Sequence, residues 1–238
     1  MKRILLISFV CLILLLLIFI FGNVTPSSGV KTRIRGIDIS NQSSEKLNWP
    51  AIKEHDGFVI LRALRAVDTC AQKGVHKFAC LVDKNFNKNW IDLKSHKIVR
   101  GAYHFFAPNI PAEKQFKSFK EVVKLEKGDL PPILDVENRN CDMNEVFKWL
   151  KLAKEHYKVT PILYSEYIFY KVFLKSKNNG YPIWLYLDDS FMMEPSFRDP
   201  NCIFWQYKQD KRIVNFQEGV DFNVFMGDTK EFNTLLIR

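Results

Sequence analysis

Asp135 and Glu137 stand two residues apart, directly after the apolar stretch Pro131-Pro132-Ile133-Leu134. If that stretch is a strand, alternation puts both carboxyls on one face. Two close carboxylates disfavour double ionisation, so one keeps its proton where the other is charged. An acid beside a carboxylate is the pair that glycoside hydrolysis uses. The acid protonates the leaving oxygen, and the carboxylate stabilises or captures the cationic carbon. On this reading Glu137, the longer side chain, is the general acid and Asp135 the assisting carboxylate. Carboxyls about 5–5.5 Å apart favour retention and about 6.5–9.5 Å inversion. Positions i and i+2 lie roughly 6.6 Å apart along a strand, and rotamers move the carboxyls either way. Retention, inversion and assistance by a substrate acetamido group therefore all stay open. An isolated Asp-x-Glu is more often solvated or paired with lysine, so its weight depends on where the fold puts it.

Several elements must position such a pair. Residues 34–39, 57–61, 98–106, 132–136 and 160–164 read as strands. Helical patterns separate them: Phe116, Phe119 and Val123 share one face, as do Val146, Leu150, Ala153 and Tyr157. A further helix is expected near 166–176. Then 182–187, 202–207 and 219–225 read as three strands with little helix between them. Five strand–helix units followed by three strands predict an α/β fold, a single modified TIM-like barrel of the (β/α)5(β)3 type. An open doubly wound sheet is the competitor. No Gly-x-Gly-x-x-Gly follows any strand, so nothing supports a dinucleotide site. Barrel sites form where strands end at the C-terminal face. There the pattern puts Asp38, Tyr103, Asp135, Glu137, Tyr164, Trp184, Tyr186, Gln206 and Asp221. Tyr103, Tyr164 and Tyr186 suit a sugar site, because a phenol both stacks and hydrogen-bonds. Trp184, Trp205 and Phe105 are of a kind more often found in a core than as sugar platforms.

The chain has 238 residues, of which 47% are hydrophobic and 20 are Phe, which excludes a disordered chain. Residues 31–238 are enough for one domain with one core. Residues 1–30 differ. Met1-Lys2-Arg3 precedes an apolar run from Ile4 to Phe21, roughly 27 Å long as a helix against a hydrocarbon core of about 30 Å. A signal anchor or a long signal peptide with a short linker is expected. In either case Lys2 and Arg3 stay in the cytoplasm and the domain lies outside, anchored in the envelope or secreted. The formal charge of +9 suits wall polyanions or anionic lipid, and equally a merely soluble surface. The lysines are scattered, so no nucleic-acid footprint is read. Cys70, Cys80, Cys141 and Cys202 form an even set outside the leader. Two disulfides, Cys70–Cys80 and Cys141–Cys202, are expected, with free buried thiols as the alternative. The five histidines do not cluster and no metal motif is present, so no metal site is expected.

Seven segments in order resemble the family 25 glycoside hydrolases, bacterial and phage-type muramidases. They are Gly36-Ile37-Asp38-Ile39-Ser40, Gly101-Ala102-Tyr103-His104-Phe105-Phe106, Leu130-Pro131-Pro132-Ile133-Leu134-Asp135-Val136-Glu137, Pro161-Ile162-Leu163-Tyr164-Ser165, Ile183-Trp184-Leu185, Phe204-Trp205-Gln206-Tyr207 and Gly219-Val220-Asp221-Phe222-Asn223. The resemblance runs from about Gly36 to Gly227. It implies hydrolysis of the β-1,4 bond between N-acetylmuramic acid and N-acetylglucosamine in peptidoglycan, without a cofactor. It puts the acid at Glu137 and the assisting carboxylate at Asp135, with Asp38 and Asp221 as supporting acids. A monomer acting on glycan strands is the default. Two stretches depart from the family pattern: Arg62-Ala63-Leu64-Arg65-Ala66 replaces a Lys-Ala-Thr-Glu-Gly-like segment, and Asn41-Gln42-Ser43-Ser44-Glu45-Lys46 lacks the usual turn. The alternatives are a wall-binding module without turnover and a glycosidase of another N-acetylated glycan such as chitin. The longer Asp-x-x-Asp-x-Asp-x-Glu pattern of chitinases is absent.

Overall fold

Alternation along the first strands decides the architecture. In Phe58-Val59-Ile60-Leu61, Phe58 and Ile60 belong to one buried cluster and Val59 and Leu61 to another. A strand buried on both faces needs a layer on each side. In the computed structural model that arrangement is a closed barrel wrapped by helices. The structure describes residues 33–40, 47–55, 57–71, 75–191, 199–211 and 220–238. The apolar run Ile4–Phe21, the expected leader and the departure at 41–46 lie outside these residues. Among the described residues no helix is long and apolar enough to cross a membrane.

The strands are β1 (Arg35–Ile39), β2 (Phe58–Ala71), β3 (Val75–Val82), β4 (Val99–Phe105), β5 (Ile133–Asp135), β6 (Ile162–Glu166), β7 (Ile183–Tyr186), β8 (Cys202–Lys211) and β9 (Val220–Phe225). Helices α1 (Trp49–His55), α2 (Phe86–Ser95), α3 (Ala112–Val122) and α4 (Met143–Tyr157) fill the first connections. Helix α5 fills the next; it starts at Tyr167–Phe169, turns π-helical over Tyr170–Leu174 and ends as a 3-10 turn at Lys175–Lys177. Helix α6 (Thr229–Leu235) follows β9. The sheet order β1-β9-β8-β7-β6-β5-β4-β2, closed by the pairing of β1 with β2, is the eight-stranded barrel the strand count predicts. Arg33–Arg238 forms one compact unit.

Two features depart from the sequence reading. First, β2 continues far past residue 61 and pairs with an additional strand, β3, in an antiparallel hairpin from Leu64↔Val82 to Ala71↔Val75. Beyond Leu61 the residues Arg62-Ala63-Leu64-Arg65-Ala66 do not alternate, because Ala63 is an extra residue in the register against β4. Second, β9 runs antiparallel to both neighbours, β8 and β1. Its first residues, not its last, therefore lie at the mouth.

The inner cluster fills the barrel floor. Phe58 from β2, Phe204 from β8 and Phe225 from β9 meet Phe232 of α6, with ring centroids 5.1 to 5.7 Å apart in four of the pairs. Burying one such ring is worth roughly 1.5–3 kcal/mol. Gly36 is required by this packing, since a Cβ there would lie 2.4 Å from the Phe58 ring. The outer cluster joins Ile37, Val59, Leu61, Leu134 and Leu163 to Trp90, Phe116, Phe119 and Trp149 from the helices. His104 faces this layer. It stacks on Trp149 at 5.8 Å and 11°, and its Nε2–H donates to Gln115 Oε1 at 2.9 Å. Gln115 in turn holds the backbone of Ala107 and Ile110, fixing the loop that follows β4. Burial pulls the His104 pKa down to about 4.

The expected disulfides are not formed. Cys80, Cys141 and Cys202 are free thiols. In the hairpin Cys80 registers with Ala66 and Cys70 with His76. Four residues of offset is roughly 13 Å, beyond the ~7 Å Cα limit of a disulfide. Cys141 follows the C-terminal end of β5, whereas Cys202 opens β8 at the opposite end of the barrel.

Candidate active site

The inward face of each strand carries its even-spaced side chains toward the mouth. On β1 that residue is Asp38, on β4 Tyr103, on β5 Asp135, on β6 Tyr164 and on β7 Trp184 and Tyr186. The antiparallel course of β9 brings Asp221 directly opposite Asp38 in register. The fold thus gathers every expected site residue at one end of the barrel, with Gln206 on β8 registering beside Tyr186 and Asn223.

Depth separates their environments. Asp135 and Asp38 are 6% and 8% exposed, and Tyr103, Tyr164, Trp184 and Gln206 are buried. Glu137, two residues past Asp135, is exposed, and Asp221 and Tyr186 are half-buried. Tyr103 and Tyr164 flank the Trp184 ring at 6.4 and 4.5 Å. The Trp184 indole N–H is committed to Asn223 Oδ1 at 2.8 Å. The Asn223 amide N–H donates to Asp38 Oδ1 at 2.7 Å. Trp184 is therefore a floor residue whose polar tip faces the Asn223–Asp38 pair.

The carboxyls are perturbed in one direction. Burial pushes Asp38 well above the usual carboxylate range, aided by the charges of Asp221 and Glu137 and opposed by the Asn223 hydrogen bond. Burial also pushes Asp135 well up, followed by the charges of Glu137 and Asp38; Arg62 acts against them. The Glu137 carboxyl is raised by desolvation against the wall of the mouth and then by Glu166, while the Tyr164 hydroxyl hydrogen bond lowers it. Burial raises the Tyr103 and Tyr164 phenols, so both stay protonated donors. Two buried acceptors, Asp135 Oδ1 and Gln206 Oε1, receive no hydrogen bond. A buried acceptor without a donor is costly, and each is a ready partner for a sugar N–H or O–H. Among the described residues no three His, Cys, Asp or Glu side chains are arranged to hold a metal ion.

Four residues at the mouth were missed from the sequence: Asn223, Glu166, Arg62 and Asp83. Three of them were legible by period two. Asn223 shares a face with Asp221, Glu166 with Tyr164 and Arg62 with Ile60. Asp83 carried no such signal, because it enters only through the β2–β3 hairpin.

The chain and its fold are similar to those of known proteins. Residues 37–216 match the family described as glycosyl hydrolases family 25. An uncharacterized protein of Escherichia coli strain K12, YegX, is 31% identical over 209 residues, covering 85% of this chain and 73% of that one. Lysozyme M1 of Streptomyces globisporus is 23% identical over 214 residues, covering 82% and 68%. Among solved structures, a family 25 glycosyl hydrolase from Bacillus anthracis superposes with a TM-score of 0.69 at 27% identity, covering 86% of this chain and 94% of its own. A bacterial lysozyme from Streptomyces coelicolor shares the fold with a TM-score of 0.67 at 21% identity, covering 85% and 96%. With the barrel, its acidic mouth and a family match spanning most of the domain, this chain belongs to family 25 of the glycosyl hydrolases.

Proposed function

We propose that the chain cleaves the β-1,4 bond between N-acetylmuramic acid and N-acetylglucosamine in peptidoglycan, with Glu137 as general acid and Asp135 as assisting carboxylate. The observation that carries this reading is the contrast along one strand end. An exposed, raised Glu137 stands above a buried Asp135 whose Oδ1 has no partner. The exposed carboxyl reaches the glycosidic oxygen and gives it a proton as the C1–O bond breaks. Asp135 Oδ1 accepts the acetamido N–H, which turns the acetamido oxygen toward C1 to stabilise the cation. Water then adds to C1 and loses its proton to the Glu137 carboxylate, restoring the acid. Asp38 and Asp221 add negative potential that favours the cationic transition state. Tyr103, Tyr164, Trp184, Tyr186 and Gln206 form the floor and wall against which the sugar is held.

The same reading places the domain 31–238 outside the cytoplasm as a monomer working on glycan strands, with residues 1–30 as its anchor or export signal. Mass spectrometry of digested purified peptidoglycan tests the bond assignment. A reducing muramic acid end is expected. A reducing glucosamine end, or binding without cleavage, would refute it. Glu137→Gln should lower turnover by at least about 10²-fold with the fold intact by circular dichroism; cleavage at the native rate would remove Glu137 from the acid's role.

A further inference from the structure

The mouth has an electrostatic problem that its acids do not solve. On the proposed reading Asp135 must be ionised while Glu137 is protonated, yet Asp135 is the more deeply buried of the two. Burial and the neighbouring carboxylates both favour the wrong proton distribution.

Arg62 stands where that can be corrected. Phe58 and Ile60 point into the barrel, and Arg62 is the next residue of that face. It registers beside Tyr103. The extra residue Ala63 then turns β2 out of the barrel into its hairpin with β3, so Arg62 is the last inward side chain of β2 before the bulge. The hairpin returns to deliver Asp83. The Asp83 N–H donates to Ala63 O at 2.9 Å, its Oδ1 accepts the Asn85 N–H at 3.1 Å, and its Oδ2 faces Arg62 Nη2 at 3.4 Å. The two side chains are 18% and 4% exposed. The guanidinium brings a positive charge to the mouth.

We propose that Arg62, held in the barrel mouth by Asp83, is a positioning residue that keeps Asp135 ionised while Glu137 carries the proton. The proposal rests on the roles given above to Asp135 and Glu137. The groups around Asp135 are Glu137, two residues on, Asp38 from β1, Arg62 from β2, Tyr103 from β4 and Tyr164 from β6; Glu166 of β6 acts on Glu137, and Asp221 of β9 on Glu137 and Asp38. Glu137 and Asp38 raise its proton affinity and Arg62 lowers it. Arg62 also opposes the acids around the Tyr103 phenol. The hairpin that departs from a plain barrel thereby has a chemical use: it supplies the buried anion that anchors the cation.

The test combines a direct titration with a rate profile on the full-length chain solubilised in detergent. Carboxyl ¹³C NMR follows Asp135, assigned by its absence in Asp135→Asn, in the native protein and in Arg62→Met, Arg62→Gln and Arg62→Lys. The Asp135 midpoint should move up in Arg62→Met and Arg62→Gln and return toward native in Arg62→Lys. The acid limb of kcat against pH should move with it, costing on the order of tenfold below the limb with KM little changed. An Asp135 midpoint in Arg62→Met equal to the native one overturns the inference. If Arg62→Met does not fold, an unmoved midpoint in Arg62→Gln overturns it instead. A midpoint that moves while the acid limb stays put upholds the Arg62–Asp135 coupling and refutes the role given to Asp135.

Discussion

Replacing Asn223 by leucine keeps the branching and heavy-atom count of the side chain and strands two buried partners. The Trp184 indole N–H loses its 2.8 Å acceptor, and Asp38 Oδ1 loses its 2.7 Å donor. Asn223 is 0% exposed, so water does not readily replace either bond. An unsatisfied buried group costs about 1–3 kcal/mol, and more when it is charged. Asp38 responds by holding its proton more strongly, since the Asn223 bond is the influence that lowers its pKa against burial, Asp221 and Glu137. Protonation caps the penalty on that side, which leaves a total of roughly 2–4 kcal/mol. For a domain of this size each kcal/mol shifts Tm by about 2–4 °C, so Asn223→Leu should melt roughly 4–16 °C below the native chain. Paired thermal and urea denaturation reads this, with the urea m-value unchanged. Hydrolysis should fall as well, because Asp38 no longer contributes its charge to the mouth. Asn223→Asp is the informative control: it keeps an acceptor for Trp184 but sets a like charge against Asp38, and it should recover its stability as pH falls. If Asn223→Leu unfolds within about 0.5 kcal/mol of the native chain, a value ordinary for an unimportant site, the Trp184–Asn223–Asp38 chain does not bear on stability and the reasoning fails.

Two further outcomes test the packing on either side of the strands. His104 has a folded pKa of about 4 against 6.5 unfolded, so between those values the unfolded chain binds a proton that the folded chain does not. Its contribution is intact above pH 6.5, is lost as pH falls toward 4 and is level below; the loss is about 3 kcal/mol. Urea titrations of the native chain and His104→Phe across this window should diverge by that amount, and parallel curves would contradict a neutral buried imidazole. Phe232→Ala opens the floor where α6 meets Phe58, Phe204 and Phe225, and denaturant unfolding should show a loss of about 3–5 kcal/mol; a loss under 1 kcal/mol would mean that α6 does not close the barrel.

Much of this molecule is written locally. Phe58-Val59-Ile60-Leu61 shows a strand buried on both faces, and the strand–helix rhythm up to residue 177 is legible because period 2 and period 3.6 are properties of neighbours in the chain. That Asp135 and Glu137 share a strand end follows from the same periodicity, and so do Tyr164 with Glu166 and Asp221 with Asn223. The helix near 166–176 was readable as helix, while its π and 3-10 turns were not, since they answer to packing around Tyr170 and Leu174 and not to composition. The disulfide expectation failed for a related reason: four cysteines in a count say nothing of register, and the hairpin sets Cys70 and Cys80 four ladder steps apart.

What the sequence alone determined is therefore the parts: eight barrel strands, the helices that separate them and the carboxylate pair at the end of the fourth. What the tertiary structure decided is how those parts face one another. Closure of β1 on both β2 and β9 brings Asn223 to Asp38 across 185 residues. The reversal of β9 aims Asp221 into the mouth, and the hairpin after β2 brings Asp83 to Arg62. Each of these depends on long-range pairing that no local periodicity encodes. The proton affinities follow from them, because burial and neighbouring charge, not residue type, set the difference between Asp135 and Glu137.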